Sequence, residues 1–160
     1  DPRAVARAQV RNATAQAACY CAFAGQILRN THPAYQNLGL IQRASVCLQP
    51  GQQSEVTLDG SCLNADLNTP TAGQALTLAR DSRTDLQALL QTIERERTDL
   101  SQIPIITFSV WALTDASNPI GGTLSAIQQM YRLAGLDPAR YPGLAHEIQI
   151  PTIPGLPGSP

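Results

Sequence analysis

Lysine is absent from this 160-residue chain; all eleven basic side chains are arginine. A Schiff-base lysine, a phosphate-loop lysine and a Lys–Asn isopeptide crosslink are therefore excluded outright. The formal net charge is −1, with a pI near 6.1, so there is no concentrated basic surface for phosphates. Aromatic side chains are scarce, two Phe, four Tyr and one Trp, too few to line a platform for stacked bases. Nucleic acid is not an expected partner. The longest apolar run, "IPIITFSVWAL", stops well short of the roughly 20 residues of a membrane span.

Residues that carry catalysis are just as thin. The two histidines are His32 and His146, and the "HE" at 146–147 lacks the second histidine four residues on that a zinc helix needs. Gly121 and Gly122 have no basic partner to make a phosphate loop. Asp59, Asp66 and Asp115 read as solvated loop or capping carboxylates. A nucleophile, a base and an orienting group are nowhere assembled. The expectation is a non-enzyme with no catalytic residue, no metal and no cofactor; a thiol free of disulfides or a carboxylate site is the catalytic route left open.

Cysteine is confined to the first 62 residues, at Cys19, Cys21, Cys47 and Cys62. An even number clustered in this way suggests a local disulfide framework and an oxidising compartment; four buried thiols are the alternative. "CYC" has neither the redox nor the zinc spacing. On one strand, Cys19 and Cys21 would point the same way about 6.5–7 Å apart, a poor geometry for bonding each other. Two of the three possible pairings remain. With Asp1 first and Met130 the only methionine, the chain reads as processed, and removal of a secretory signal would do this.

The organisation changes along the chain. In "AVARAQVRN", Ala6, Ala8 and Val10 alternate with Arg7, Gln9 and Arg11, a period of two that predicts a strand rather than an Ala-rich helix. "NAT" supplies a turn, and Asn12-Ala13-Thr14 is an N-glycosylation sequon, placing Asn12 in an exposed position. "AACYCAFAG" resumes an extended pattern with Cys19, Cys21 and Phe23 on one side. Residues 43–62 read as a hairpin around "PGQQ", with Leu48 paired to Val56 and Val46 to Leu58. In that register Cys47 opposes Thr57, which directs its disulfide back toward Cys19 or Cys21.

After "NTPTAG" the period becomes helical. Thr84 and Gln87 suggest a capping box ahead of Leu86, Leu89, Leu90 and Ile93. A second, mostly apolar helix is predicted from Pro104 through "IITFSVWALTD". A third, "TLSAIQQMYRLAG", aligns Leu124, Ile127, Met130, Tyr131 and Ala134, with Gly135 at its end. "DPARYPGL" adds a short final turn. The predicted class is α+β: an N-terminal antiparallel β-sheet or sandwich with disulfides, and a helical C-terminal half packed on it. Residues 1–145 form one globular domain, and 146–160 an extended Pro-rich tail.

Two short segments carry a partial resemblance. "CLN" at 62–64, followed by Val110, Trp111, Thr114 and Asp115, resembles the thioester domains of bacterial cell-surface adhesins. In that family an early strand cysteine bonds the Gln of a later T-Q-x-A-[IV]-W-x-x-T-D segment. The likeness spans roughly residues 62–115. Thr107 stands where the family carries its reactive Gln, and Ser109 stands at its Ala position. A threonine has no amide to acylate a thiol, so the resemblance implies a cell-surface location and a related scaffold without the covalent chemistry. Trp111 is expected in the core whichever scaffold holds it.

The tail "HEIQIPTIPGLPGSP" repeats with a period of three. Pro151, Pro154, Pro157 and Pro160 fall on one ridge of a polyproline II helix. Ile150, Ile153 and Leu156 form a second, apolar ridge. Just before it, "EIQI" alternates with Ile148 and Ile150 on one face of a short strand. Such a segment can complete the sheet edge of another chain, ending as a strand near Pro151. The competing reading folds the tail back on its own domain.

The sequence expectation is a secreted, extracellular structural subunit. It would join identical copies head-to-tail through Ile148, Ile150, Ile153 and Leu156 into a fibre. Its rivals are a non-polymerising adhesin-like module that binds a surface ligand or glycan, and a small secreted enzyme.

Overall fold

The computed structural model describes residues 4–80, 83–96, 103–115 and 123–145. Period-two patterning becomes strands throughout the first half. These are β1 (Ala4–Arg11), β2 (Ala18–Ala22), β3 (Ile27–Asn30), β4 (Leu38–Leu40), β5 (Ala44–Leu48), β6 (Gln53–Cys62) and β7 (Leu76–Leu78). All described pairings between strands are antiparallel. Five strands form one sheet in the order β1-β6-β4-β3-β7, and β2 pairs with β5 in a second. On β1 the alternation holds as read: Ala6 is buried while Val5, Arg7, Gln9 and Arg11 are exposed.

The expected 43–62 hairpin is corrected. β5 and β6 do not share a ladder. Leu48 pairs with Ala18 and Val46 with Tyr20, whereas Val56 pairs with Ala8 and Leu58 with Ala6. Hydrophobic alternation fixes which face a residue presents, but not which strand lies beside it. Val46, Val56 and Leu58 border one small cavity between the two sheets, so these three share a space without being ladder neighbours, while Leu48 is buried separately. The turn that divides the strands has Gly51 at φ +74°, where only a residue without Cβ sits unstrained.

That corner is locked by Asn12, and here a second expectation fails. Asn12 is fully buried. Its Nδ2 donates to Gln16 O at 2.8 Å and Leu48 O at 3.0 Å. Its Oδ1 accepts from Thr14 N, Thr14 Oγ1 and Tyr20 Oη at 2.7–3.0 Å. Its main chain also bonds Gln52 O and Gly51 N. Both N–H groups are consumed inside the protein, and an N-linked sugar would displace one of them. The sequon asparagine is a buried structural hub and not the exposed turn position expected of it.

The disulfide framework is smaller than expected. Cys19 and Cys47 stand directly opposite each other on β2 and β5 and are bonded. Cys21, exposed on the same strand, and Cys62, buried at the end of β6, are free thiols. Cys21 lies opposite Ser45, and Cys62 opposite Leu38 in the other sheet, so neither ladder brings the two together.

The helical half follows the sequence closely. It comprises α1 (Thr84–Glu96), α2 (Ile103–Thr114) and α3 (Leu124–Leu133), then two short 3₁₀ turns at Pro138–Arg140 and Pro142–Leu144. Leu86, Leu89, Leu90 and Ile93 of α1 join Ile106, Val110 and Leu113 of α2, and Ile127 and Tyr131 of α3, in one core. Each such side chain fully buried contributes roughly 1.5–3 kcal/mol. Thr84 begins the helix rather than capping it: the Gln87 N–H donates to Arg83 O. Arg83 in turn is held by Asp85 at 2.9 and 3.0 Å and by Leu113 O. Helix α1 presses on the sheet at Gly39, where a Cβ would lie 2.8 Å from Leu90 Cδ1. None of the described helices is long and apolar enough to cross a membrane.

Candidate functional site

Both ends of the five-stranded sheet border one open groove of about 1480 Å³. Strand β1 is the first in the order and β7 the last, so the sheet curls until its two edges face each other across this space. Inward positions make the floor. Cross-strand pairing sets Leu28 beside Leu38 and Leu38 beside Cys62, with Ala6 beside Leu58. The alanines of β1 leave room where larger residues would fill the concavity.

Five successive residues of β1, Val5 to Gln9, line the groove. A strand that offered only one face would contribute every second residue. Contact with both phases means that the groove runs along the edge of β1 itself. Among the described residues β1 pairs only with β6, leaving its other side unpaired. Alternate N–H and C=O groups of such an edge point outward and are ready to accept a strand.

The opposite wall is the 65–76 segment. Its backbone is tied down where Gln36 N donates to Asn68 O and Asn68 N to Ala34 O, each at 3.0 Å. Gln74 Oε1 accepts from Thr71 N and Asn30 Nδ2. At one end α2 presents Thr107 and Trp111 to the groove. Trp111 is half-buried, stacks edge-on against Phe108 at 6.0 Å, and packs on the cluster containing Cys62 and Leu38. It therefore belongs to the core as expected, while one side borders the groove.

The site is nearly uncharged. Among the described residues Arg7 is the sole charged one along it; it is exposed and lies 3.5 Å from Glu55. The Cys62 thiol is pushed up by burial, which keeps it protonated and makes it a poor nucleophile. The buried side-chain atom bordering the groove that has no hydrogen-bond partner among the described residues is Trp111 Nε1. Gln36, 3% exposed, also borders the groove; sequence reading overlooked it, because a lone Gln between "AY" and "NL" carries no pattern.

Of the residues singled out in advance, Cys62, Thr107 and Trp111 come together here, and Ala65 N donates to the Asp115 carboxylate at 3.2 Å. Cys19, Cys21, Cys47 and Asn12 do not border the groove. Ile148, Ile150, Ile153 and Leu156 lie outside the described residues. Among the described residues no group of His, Cys, Asp and Glu is placed to hold a metal ion. No family model, curated protein or solved structure matches the chain.

Proposed function

We propose that this protein is a secreted structural subunit of an extracellular fibre, in which residues 146–160 of each copy seat in the groove of the next. The observation that carries the reading is the groove along the edge of β1 that no described strand pairs with, an apolar trough beside that edge's backbone groups. Strand addition needs both: the edge supplies hydrogen bonds, and the trough receives alternate side chains. The tail is matched to it in chemistry. From Ile148 to Pro160 it carries no charge, as the groove nearly does, and its apolar residues repeat at fixed spacing. Four residues of "EIQI" would extend the sheet before Pro151 ends the ladder.

A contact between one subunit's tail and another's groove joins unlike surfaces, so repetition yields an open filament unless a ring closes. The Cys19–Cys47 disulfide agrees with an oxidising, non-cytoplasmic setting. The test is negative-stain electron microscopy of the full chain beside one carrying Ile148→Asp, Ile150→Asp, Ile153→Asp and Leu156→Asp. Filaments from the first and compact particles from the second are the expected result. Equal assembly in both would remove the proposal.

A second reading rests on the same groove. Cys62 and Thr107 border it together, and Ala65 is bonded to Asp115, the arrangement that a thioester-domain-like scaffold without its crosslink would use to hold a surface ligand non-covalently. It calls for a protein that stays monomeric and binds its ligand whatever the tail carries.

A further inference from the structure

Resting on the assembly reading above, we propose that the cavity under the β2–β5 ribbon is the anchor pocket for Ile148 of the incoming tail, which lies antiparallel to β1. The cavity holds about 120 Å³. Its roof is the Ala22–Ala44 and Tyr20–Val46 rungs of the ribbon, and its floor the Ala8–Val56 rung of the five-stranded sheet. Cys21 and Ser45, exposed between the roof residues, face away by strand alternation. The Tyr20 hydroxyl already donates to Asn12 Oδ1 at 3.0 Å. So apolar a space offers water few partners, and folded interiors keep few voids of this size. An apolar cavity of roughly 150 Å³ takes a benzene ring, so this one has room for the branched side chain of an isoleucine.

The cavity is the roofed end of the groove. Ala8 and Leu58 border both spaces, on the one concave face of the sheet. From Ala8 toward the start of β1 the same face passes Ala6 and the Ala4–Gly60 rung. It then reaches the Leu38–Cys62 row and Trp111 on the open floor. A strand added beside β1 sets one residue against each of its residues and turns alternate side chains to that face. Ile148 and Ile150 are two residues apart, so they take neighbouring rungs there. Residues from Pro151 on leave the ladder, and only the open floor has the length to receive them. The chain therefore enters at the roofed end and leaves toward Trp111, with Ile148 opposite Ala8 and Ile150 opposite Ala6. That direction is antiparallel to β1, as all described pairings between strands are. The side chain of Ala8 is a single methyl, which leaves Ile148 a way across the edge of β1 into the cavity.

The test uses the full-length chain carrying the four Asp substitutions in its own tail, which leaves the groove open, and synthetic peptides of residues 146–160. The single tryptophan, Trp111, borders the groove, so its fluorescence reports occupancy. Ala22→Leu fills the cavity from its roof without touching the edge of β1, and should weaken binding of the native peptide about ten-fold or more. A peptide with Ile148→Ala should lose as much on the parent and then bind parent and Ala22→Leu alike, because both changes remove one contact. A peptide with Ile150→Ala should stay sensitive to Ala22→Leu. Native peptide bound by Ala22→Leu within about two-fold of the parent would overturn the anchor pocket while leaving the assembly reading intact. Coupling of Ala22→Leu to Ile150 in place of Ile148 would do the same. Native peptide that does not bind the parent would overturn both. Should Ala22→Leu fail to fold, nuclear Overhauser contacts of the Ile148 methyls in labelled peptide on the parent decide the matter. Contacts to the Ala22 methyl support the pocket, and contacts only elsewhere, or none, remove it.

Discussion

Replacing Asn12 with alanine strips five side-chain hydrogen bonds from the corner where β1, β2, β5 and the β5–β6 turn meet. The bond to Leu48 O is buried, so water does not replace it when it is lost, at a cost of about 1–3 kcal/mol. The other four are partly buried, so water replaces some of each; at roughly 0.5 kcal/mol apiece they add about 2 kcal/mol. The expected loss is about 3–5 kcal/mol, a large share of the roughly 5–15 kcal/mol by which domains are stable. In urea denaturation followed by circular dichroism, a slope near 2 kcal/mol/M turns this into a midpoint lowered by roughly 2 M. Asn12→Asp keeps the acceptor for Thr14 and Tyr20 but sets a carboxylate oxygen against the Gln16 and Leu48 carbonyls. It should be at least as damaging at neutral pH. Thr14→Ala loses only the bonds of an exposed hydroxyl and should cost about 1 kcal/mol. An Asn12→Ala protein within about 1 kcal/mol of the parent would refute the hub argument.

Other expectations follow from the same geometry. Burial raises the Cys62 thiol and, with the charges of Tyr141 and Asp85 adding to it, the Tyr131 phenol above their ordinary values of 9.0 and 10.0. Both groups keep their protons in the folded state while the unfolded chain releases them. Stability should therefore be flat below about pH 9 and fall as pH rises beyond it. Melting curves from pH 7 to 11 should show that decline, and it should be shallower in a Cys62→Ala, Tyr131→Phe protein. A thiol reagent applied to the native, unreduced chain should label Cys21 at once and Cys62 only on unfolding, as peptide mapping would show. Breaking the Cys19–Cys47 bond, which spans 28 residues, should cost roughly 3–4 kcal/mol in a denaturant titration. Gly39→Ala would set a Cβ 2.8 Å from Leu90 and 2.9 Å from Leu63, overpacking the sheet–helix junction by about 1–3 kcal/mol. Calorimetry should register a fall of about 2–4 °C per kcal/mol.

Much of this molecule is determined locally, and that part is legible in the sequence. The alternation of β1 and the spacing of Leu86, Leu89, Leu90 and Ile93 specify strand and helix because each pattern puts its apolar residues on one face. Gly135 closes α3 at φ +73°, and both prolines of "DPARYP" open short turns, for reasons confined to a few residues. Even the rejection of a Cys19–Cys21 bond needed only the rise of a strand. What the patterning left open was partnership. Val46, Leu48, Val56 and Leu58 point inward in either of two arrangements, and only the competition of β1 for β6 and β2 for β5 decides between them. Asn12 looks like a surface sequon because three residues cannot show that Gln16, Tyr20 and, 36 residues away, Leu48 all close on its side chain. The groove is the furthest from the sequence: it exists because a sheet curls until β1 and β7 confront each other. Local chemistry set the elements and their faces, while the long-range pairing of those elements decided which polar groups found partners and which were left waiting for one.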